Sequence, residues 1–434
     1  MIALLACGIL AACGAGVVHA GPRFGDSTWV APAAMFDSAY TSDGPRVASP
    51  DQERAWETAL RTPFRIVFFP LRLLGSGLEA AARYVGPRYL SGETKPPPEP
   101  GPKVAPFVGL GAVNDIRFGA ALTWVAFPIF NSNLRLAGSW STFDGRTASF
   151  SQTIGERRPV GFRLGVDYDY KPNRRYYGIG NNTVATNLSY FLLSSTRAEA
   201  SLLFGATPLQ QLRLGGGYLR MSPGSGYHGE PLLEDTFTPA SVPYQDQTTQ
   251  ALWYGVAGAL AALDNARDPS LGIQGLLDVR KATGLEATDP DYYQWRLEGR
   301  AYAPLLAKRR VIAVRAVYAG VEPAAGTTTL PFYTLPDSRG LSRFAGYATD
   351  RFRDRQLMIA RVEYRWPLLS RVNVLALYEV GEVAPTAGAF TLRDAHQSYG
   401  GGMRVGLSDE SALRFELATS VEGLHAFVGL GSDF

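Results

Sequence analysis

The side chains best suited to catalysis or metal binding are few and scattered. The 434-residue sequence has four histidines, His19, His228, His396 and His425, and two cysteines, Cys7 and Cys13. No histidine stands at metal-ligand spacing from another histidine or a cysteine, so no set converges on one ion. No Gly-x-Ser-x-Gly elbow presents a nucleophilic serine, and no P-loop cradles phosphate. Gly215-Gly216-Gly217 and Gly400-Gly401-Gly402 lie inside segments of strand character. Glycine there gives local curvature or lets another segment come close, so neither triplet reads as a nucleotide site. The chain is therefore read as a non-enzyme without cofactor. The chemistry that remains is ionic. Arg343, Glu363, Arg365 and Glu379 fall within a short late stretch. A carboxylate shielded from water needs a cation or hydrogen-bond donors, and arginine supplies two parallel ones. Such groups hold segments together; paired charge inside any polar lumen would use the same residues.

Composition indicates what must position them. There are 47 Gly, 21 Tyr and 22 Phe, with a mean hydropathy of −0.05. Near-zero hydropathy with abundant glycine and aromatics fits strands that alternate lipid-facing apolar with inward polar residues. A soluble β-rich protein shares most of this composition. The formal net charge of +3 points to no nucleic-acid partner. After the extreme N-terminus no run approaches the roughly 18 apolar residues of a membrane helix. Spanning then requires a closed barrel, the other structure that satisfies every backbone group in lipid.

Residues 1–20 read as an export signal, since Ile2 to Val18 is almost wholly apolar and Val18-His19-Ala20 offers small residues for cleavage. A rival reading is a lipobox, Leu10-Ala11-Ala12-Cys13, which would make Cys13 a lipidated first residue. In either case both cysteines leave with the signal or end at its border, and no disulfide is expected. Residues 21–102 read as a periplasmic lead. Within it, Phe64, Val67, Phe68, Leu71, Leu74, Leu78, Ala81 and Val85 form one apolar helical stripe beside Arg61, Arg65 and Arg72. That is the pattern of an amphipathic helix lying on a membrane or docked at the barrel mouth. Lys95-Pro96-Pro97-Pro98-Glu99-Pro100 is a stiff linker.

From Lys103 to Phe434 alternation takes over, and sixteen strands are expected. They run near 103–112, 117–127, 132–141, 146–155, 159–170, 187–205, 210–221, 249–262, 272–282, 291–303, 309–320, 356–367, 372–383, 397–407, 411–421 and 424–434. The segment 187–205 is long enough to hold two. An even count brings both barrel ends to the periplasm, with short turns there and long connections such as 222–248 and 321–355 outside. In 356–368, Met358, Ala360, Val362, Tyr364 and Trp366 share one face, and Ile359, Arg361, Glu363 and Arg365 share the other. In a barrel the first face meets lipid. The next strand repeats the scheme, with Val374, Ala376, Tyr378 and Val380 outward and Asn373, Glu379 and Gly381 inward. Phe434 ends the chain and Gly429 stands five residues before it, as in the C-terminal insertion signal of outer-membrane barrels; Ser432 departs from that signal.

The stretch 336–368 carries a family resemblance. It contains Arg343-Phe344-Ala345-Gly346-Tyr347, then Arg351-Phe352-Arg353-Asp354-Arg355, then Glu363-Tyr364-Arg365-Trp366-Pro367. This resembles the bacterial surface antigen family, the barrel of the BamA/TamA type of outer-membrane assembly factor. In that family the sixth outer loop folds into the lumen and carries a Leu-Arg-Gly-Tyr or Val-Arg-Gly-Phe tip. The following strand carries an inward Glu-x-Arg, and the next an aromatic-x-Asp-x-Gly. The matching positions are Phe344-Ala345-Gly346-Tyr347, then Glu363 and Arg365, then Leu377-Tyr378-Glu379-Val380-Gly381. Tyr176-Tyr177-Gly178-Ile179-Gly180-Asn181-Asn182-Thr183 and Asp264-Asn265-Ala266-Arg267-Asp268 also look like family segments. Ala345 replaces the tip arginine and Glu379 the aspartate. The lead does not read as a POTRA module.

The resemblance implies an outer-membrane barrel that inserts or translocates proteins, or lipids, with a weak seam between first and last strands. Its partners would be outer-membrane lipid, client outer-membrane or secreted proteins, and the barrel assembly machinery. The alternative is a passive pore or structural barrel. Arg343 is expected to replace the missing tip arginine and to pair with Glu379, with Gly381 leaving room for the loop and Arg365 as the competing donor. Arg351, Arg353 and Arg355, beyond the tip, are expected to climb back towards the surface. The alternation and terminal signal predict that the protein fractionates with the outer membrane and shifts its gel mobility on heating; recovery as a soluble periplasmic protein would end the barrel reading.

Overall fold

The computed structural model describes residues 100–110, 116–155, 158–207, 210–226, 231–265, 268–305, 310–339, 343–368, 372–406 and 412–430. The signal at 1–20, the lead with its helix and nearly all of the proline-rich linker, His228 and Phe434 lie outside the described residues.

Sixteen strands form one sheet. They are β1 Gly101–Leu110, β2 Ile116–Phe127, β3 Ser132–Ser141, β4 Arg146–Ile154, β5 Val160–Tyr176 and β6 Ser189–Thr207. Next come β7 Gln210–Ser225, β8 Thr249–Leu263, β9 Gly272–Gly284, β10 Tyr292–Leu305 and β11 Arg310–Pro323. The last five are β12 Gln356–Pro367, β13 Val372–Ala384, β14 His396–Gly406, β15 Ala412–Ser420 and β16 Gly423–Leu430. Each strand pairs with its sequence neighbours in simple order, and every ladder is antiparallel. The stretch expected to hold one strand or two, 187–205, is one strand, β6. Its neighbour β5 runs six residues past the expected end, to Tyr176, through a register shift between Lys171 and Arg174. Pro172 lies in that shift, where a missing N–H breaks no ladder bond.

The sheet is inverted relative to a soluble one. The exposed face carries large apolar side chains such as Leu252, Tyr254, Leu260, Ile273, Val314 and Leu417. The buried face carries Arg213, Asp278, Arg280, Glu298, Arg315, Arg361, Glu363 and Glu379. On β12, Arg361, Glu363 and Arg365 are buried while Val362 is exposed. On β13, Leu375, Leu377, Glu379 and Gly381 are buried while Ala376 and Tyr378 are exposed. Strand alternation puts successive side chains on opposite faces. The expected face assignments on these two strands therefore hold.

The ends of the sheet approach each other, with Cα atoms of β1 and β16 within 8 Å. Among the described residues no ladder joins them. β1 carries Pro102 and Pro106, both paired to β2. Proline is tolerated in a paired strand when its missing donor faces away from the partner, which on β1 is the side of β16.

His396 opens β14 and His425 lies near the start of β16. The Val362 side chain is 42% exposed at mid-strand on the outward face. Val362→Lys should cost about 2–4 kcal/mol of unfolding free energy in lipid bilayers, read by denaturant titration; a change under about 0.5 kcal/mol would argue that this face does not meet lipid.

Candidate functional site

β12 to β15 bring three carboxylates and several guanidinium groups together on the buried face. Register explains the first contact: Arg361 stands opposite Glu379 in the β12–β13 ladder, and its Nη1 donates to Glu379 Oε1 at 2.7 Å. Arg361 Nε donates to Glu363 Oε1 at 2.8 Å, and its Nη2 donates to Glu416 on β15. Arg365 Nε donates to Glu363 Oε2 at 2.9 Å. Arg414 on β15 donates to both Glu363 and Glu416. Glu363 and Glu379 are fully buried. Arg361 thus bridges all three carboxylates.

Arg361 and Glu416 stand three strands apart, yet their side chains meet. Gly402 on β14 lies between them, directly opposite Glu416 in the ladder. A Cβ on Gly402 would come 3.2 Å from Glu416 Cγ and 2.3 Å from the Phe415 carbonyl oxygen. The bare backbone lets the glutamate lie flat across β14 towards β12. The glycine triplet therefore serves close approach, as its strand position suggested.

The long connection between β11 and β12 supplies the other contacts. Its arms pair briefly, with Asp337 bridged to Arg353 and Arg353 to Gly180. Ser338 N–H donates to the Phe352 carbonyl at 3.1 Å. At the tip, Tyr347 N–H donates to the Phe344 carbonyl at 3.1 Å, closing a turn. Arg343 pairs with Glu416 and lies 3.7 Å from the ring centroid of Phe427 on β16. The Ala345 N–H donates to Glu379 Oε2 at 2.6 Å, beside Ser398 Oγ at 2.8 Å. Ser420 Oγ donates to the Gly346 carbonyl at 2.6 Å, and Tyr347 O–H donates to the Gln397 carbonyl at 3.2 Å. A Cβ on Gly346 would sit 2.4 Å from Ser398 Cβ, so only glycine fits there. At Gly381 a Cβ would come 3.4 Å from Phe344 Cε1 and 2.9 Å from Ile359 Cγ1.

The expected pair Arg343–Glu379 is not formed. Arg361 occupies Glu379 from the adjacent strand, and Arg343 reaches Glu416 instead. Arg365 does not compete for Glu379, because it is engaged with Glu363. Ala345 packs with Leu375, Leu377 and Ala418, so the position the family fills with arginine is apolar here and gives its backbone donor to Glu379. Two of the three arginines after the tip, Arg351 and Arg353, do not climb back to the surface, whereas Arg355 is part-exposed and pairs with Glu322. Arg351 is 3% and Arg353 1% exposed. Arg353 binds Asp337 at 2.8 Å and the Phe332 carbonyl at 2.9 Å, while Arg174 on β5 binds the same Asp337 oxygen at 2.7 Å. Arg351 binds Glu422 at 2.7 Å and also Thr183. Burial alone would raise the Asp350 carboxyl; the guanidinium of Arg339, with Arg174 and Arg353 nearby, draws it down to about 2.

Apolar packing accompanies these bonds. Phe344, Tyr347 and Phe352 bury against Leu357, Ile359 and Val383. Phe332 and Tyr333 bury against Tyr176, Phe191, Leu193 and Met221. Tyr176 and Tyr177, from one of the family-like upstream segments, are buried as well, and Asn181 accepts from the Val383 N–H at 3.1 Å. Gly429 on β16 faces Arg414 in the ladder, and a Cβ there would meet the Phe427 ring at 2.7 Å. Arg361 as the hub, Glu416 and Arg414 were not singled out in the sequence. The signal was present: Leu413, Phe415 and Leu417 alternate with Arg414 and Glu416, the same pattern that marked β12.

The Omp85 superfamily domain matches residues 111–423, and the chain belongs to that superfamily. Its fold is a sixteen-stranded antiparallel outer-membrane β-barrel of the BamA type. The crystal structure of BamA from Haemophilus ducreyi lacking POTRA domains 1-3 is similar at a TM-score of 0.60 and 15% identity, over 81% of this chain and 78% of that one. CdiB from Acinetobacter baumannii matches at 0.45 and 10% identity over 76% of this chain, and CdiB from Escherichia coli at 0.47 and 12% over 78%. The chain spans 59% and 63% of those two proteins, respectively. No curated protein matches the sequence significantly.

A double-mutant cycle tests the ionic assignment. Arg343→Ala and Glu416→Gln should couple by about 1–3 kcal/mol in thermal stability in detergent, and Arg343→Ala with Glu379→Gln by less. Stronger coupling to Glu379 would restore the pairing expected from sequence.

Proposed function

We propose that this barrel inserts or translocates proteins at the bacterial outer membrane, with the 324–355 connection folded into the lumen as a lock. The observation that carries the reading is the set of bonds from the Phe344–Tyr347 tip to β13, β14 and β15, beside a β1–β16 seam without a ladder. Apolar burial drives the segment in, and the ion network fixes where it stops. A buried ion pair adds little net stability but penalises every arrangement that leaves one partner alone. The seam is the second part. Two prolines remove donors from the β1 edge, so fewer bonds oppose its separation from β16. An exposed strand edge is a template for another strand, which is what an extended client chain supplies. The site has no catalytic part in this reading: each carboxylate already holds two or more donors and fixes position. Clients are outer-membrane or secreted chains, with outer-membrane lipid around the barrel and the assembly machinery as a further partner. The segment before β1 would lie in the periplasm.

Planar-bilayer recordings test the lock. The intact barrel should conduct poorly, and deletion of 336–355 should raise conductance several-fold while heat-modifiable mobility persists. A large steady conductance from the intact protein would favour the passive pore. Mild crosslinking in cells should then trap unfolded outer-membrane chains on the intact protein if it handles clients.

A further inference from the structure

One row across the outward face of the sheet has almost no side chains. Gly275 on β9 and Gly299 on β10 stand opposite each other. The row continues to Leu260 on β8 and to Ala316 and Ala360 on β11 and β12. One flanking row holds Leu277, Leu297, Tyr318 and Met358, and the other Ile273, Ala301, Val314 and Val362. Against the first ridge lies an open recess of about 850 Å³, walled by Leu212, Leu260, Leu277, Leu297 and Met358 and lined also by Gly275, Gly299 and Ala316.

Nothing among the described residues accounts for the two glycines. Neither has a left-handed backbone, and a Cβ on either would meet no atom within 4 Å. This contrasts with Gly400 and Gly402, where a Cβ would strike backbone at 2.1 and 2.3 Å. Glycine inside a strand weakens it and marks a place where something comes close. At Gly275 and Gly299 no described residue takes that place.

The same strands carry a cation above the recess. Lys281 lies on β9 six residues from Gly275, on the same face, between Tyr254 of β8 and Tyr293 of β10 in the ladders. Its Nζ sits 5.7 Å from the Tyr293 ring centroid. Both tyrosines are about half exposed, as in an interface belt. The carboxylate in that row, Glu322, is taken by Arg355 and Gln356. Six residues at about 3.3 Å each, on a strand tilted by about 40°, rise roughly 15 Å. That is about one leaflet of a bilayer whose hydrocarbon core is about 30 Å thick.

We propose that the recess is a binding site for a phosphate-bearing lipid, with the phosphate at Lys281 and an acyl chain laid between the ridges over Gly275 and Gly299. The apolar walls exclude a headgroup from the recess, and Lys281, two rows beyond the Leu277–Leu297 ridge on the same face, selects an anion. The lipid belongs to the leaflet on the long-loop side, because Lys281 lies at the β9 end that leads into the 285–291 loop.

Native mass spectrometry of the full chain in detergent tests this, with dipalmitoyl phosphatidylglycerol and phosphatidylcholine as probes. The wild type should retain phosphatidylglycerol about fivefold better, the worth of one lysine at a lipid surface. Lys281→Gln should abolish that preference, and Gly299→Leu should lower retention of both lipids. Inorganic phosphate should not displace either. Ala316→Leu, which fills the recess without touching a glycine, provides a second variant if Gly299→Leu loses heat-modifiable mobility. Equal retention by wild type and both filled variants would overturn the proposal. Displacement by free phosphate would overturn it too, as would a dimer that Gly299→Leu dissolves, which would assign the recess to a second copy.

Discussion

A strand crossing lipid must give each N–H and C=O to a neighbouring strand, because the hydrocarbon offers no other partner. The organisation of this chain follows from that constraint. Sixteen strands in simple order satisfy it along the whole sheet except at the outer edges of β1 and β16. Bringing those edges together is the remaining solution, and the strands do approach. The same constraint fixes face parity. Once backbone bonds lie in the sheet, side chains can only point out or in, and a one-residue slip would put Arg361 and Glu363 into lipid and Val362 inside.

Parity then creates a second problem. Inward residues are shielded from water, and several are charged. Glu363, Glu379 and Glu416 could each be satisfied by a neighbouring arginine alone, but the structure concentrates them around Arg361. The concentration depends on residues with little or no side chain. Gly402 lowers the floor between β13 and β15, Gly381 leaves space for Phe344, and Gly346 fits against Ser398. Substituting any of these would separate charges that now meet, and an isolated buried charge costs far more than a lost surface contact. Glycine and arginine therefore form one device here: one clears the space, the other fills it with bonds.

The strands were legible because period-two alternation is a local signal, and all sixteen were found, most of them to within a few residues and β5 six residues short. The strand faces followed from the same signal; the residues around the tip came from the family resemblance. Pairing was not legible. Arg343 was assigned to Glu379 as the loop arginine nearest the tip position that Ala345 occupies, yet the choice among Glu363, Glu379 and Glu416 depends on register across four strands. Register is set by turn lengths and bulges that no single segment announces. Arg361 was visible on the correct face and was passed over, although the ladder puts it opposite Glu379. The burial of Arg351 and Arg353 was missed for a similar reason. Nothing in Arg351-Phe352-Arg353 says that Glu422 and Asp337, 71 and 16 residues away, will be their partners.

The tip's contacts are unevenly distributed about the seam. Arg343 stacks on Phe427 of β16 and pairs with Glu416 of β15. Ser420 holds the Gly346 carbonyl, and Arg351 holds Glu422 at the β15–β16 turn. The tip and Arg351 thus brace the last two strands. β1, across the seam, pairs only with β2 among the described residues and carries the two prolines. If the barrel opens as proposed, the two edges are not equivalent. β16 is held in shape by the loop, while β1 is free to peel, having the fewer donors and the lesser support. An incoming strand would then meet a preformed β16 edge and a yielding β1 edge. Release of the tip would not open the seam by breaking bonds across it; it would remove the brace that keeps β15 and β16 curved against the lumen. Arg343 would link the two events, because its guanidinium touches both Glu416 of β15 and the Phe427 ring of β16.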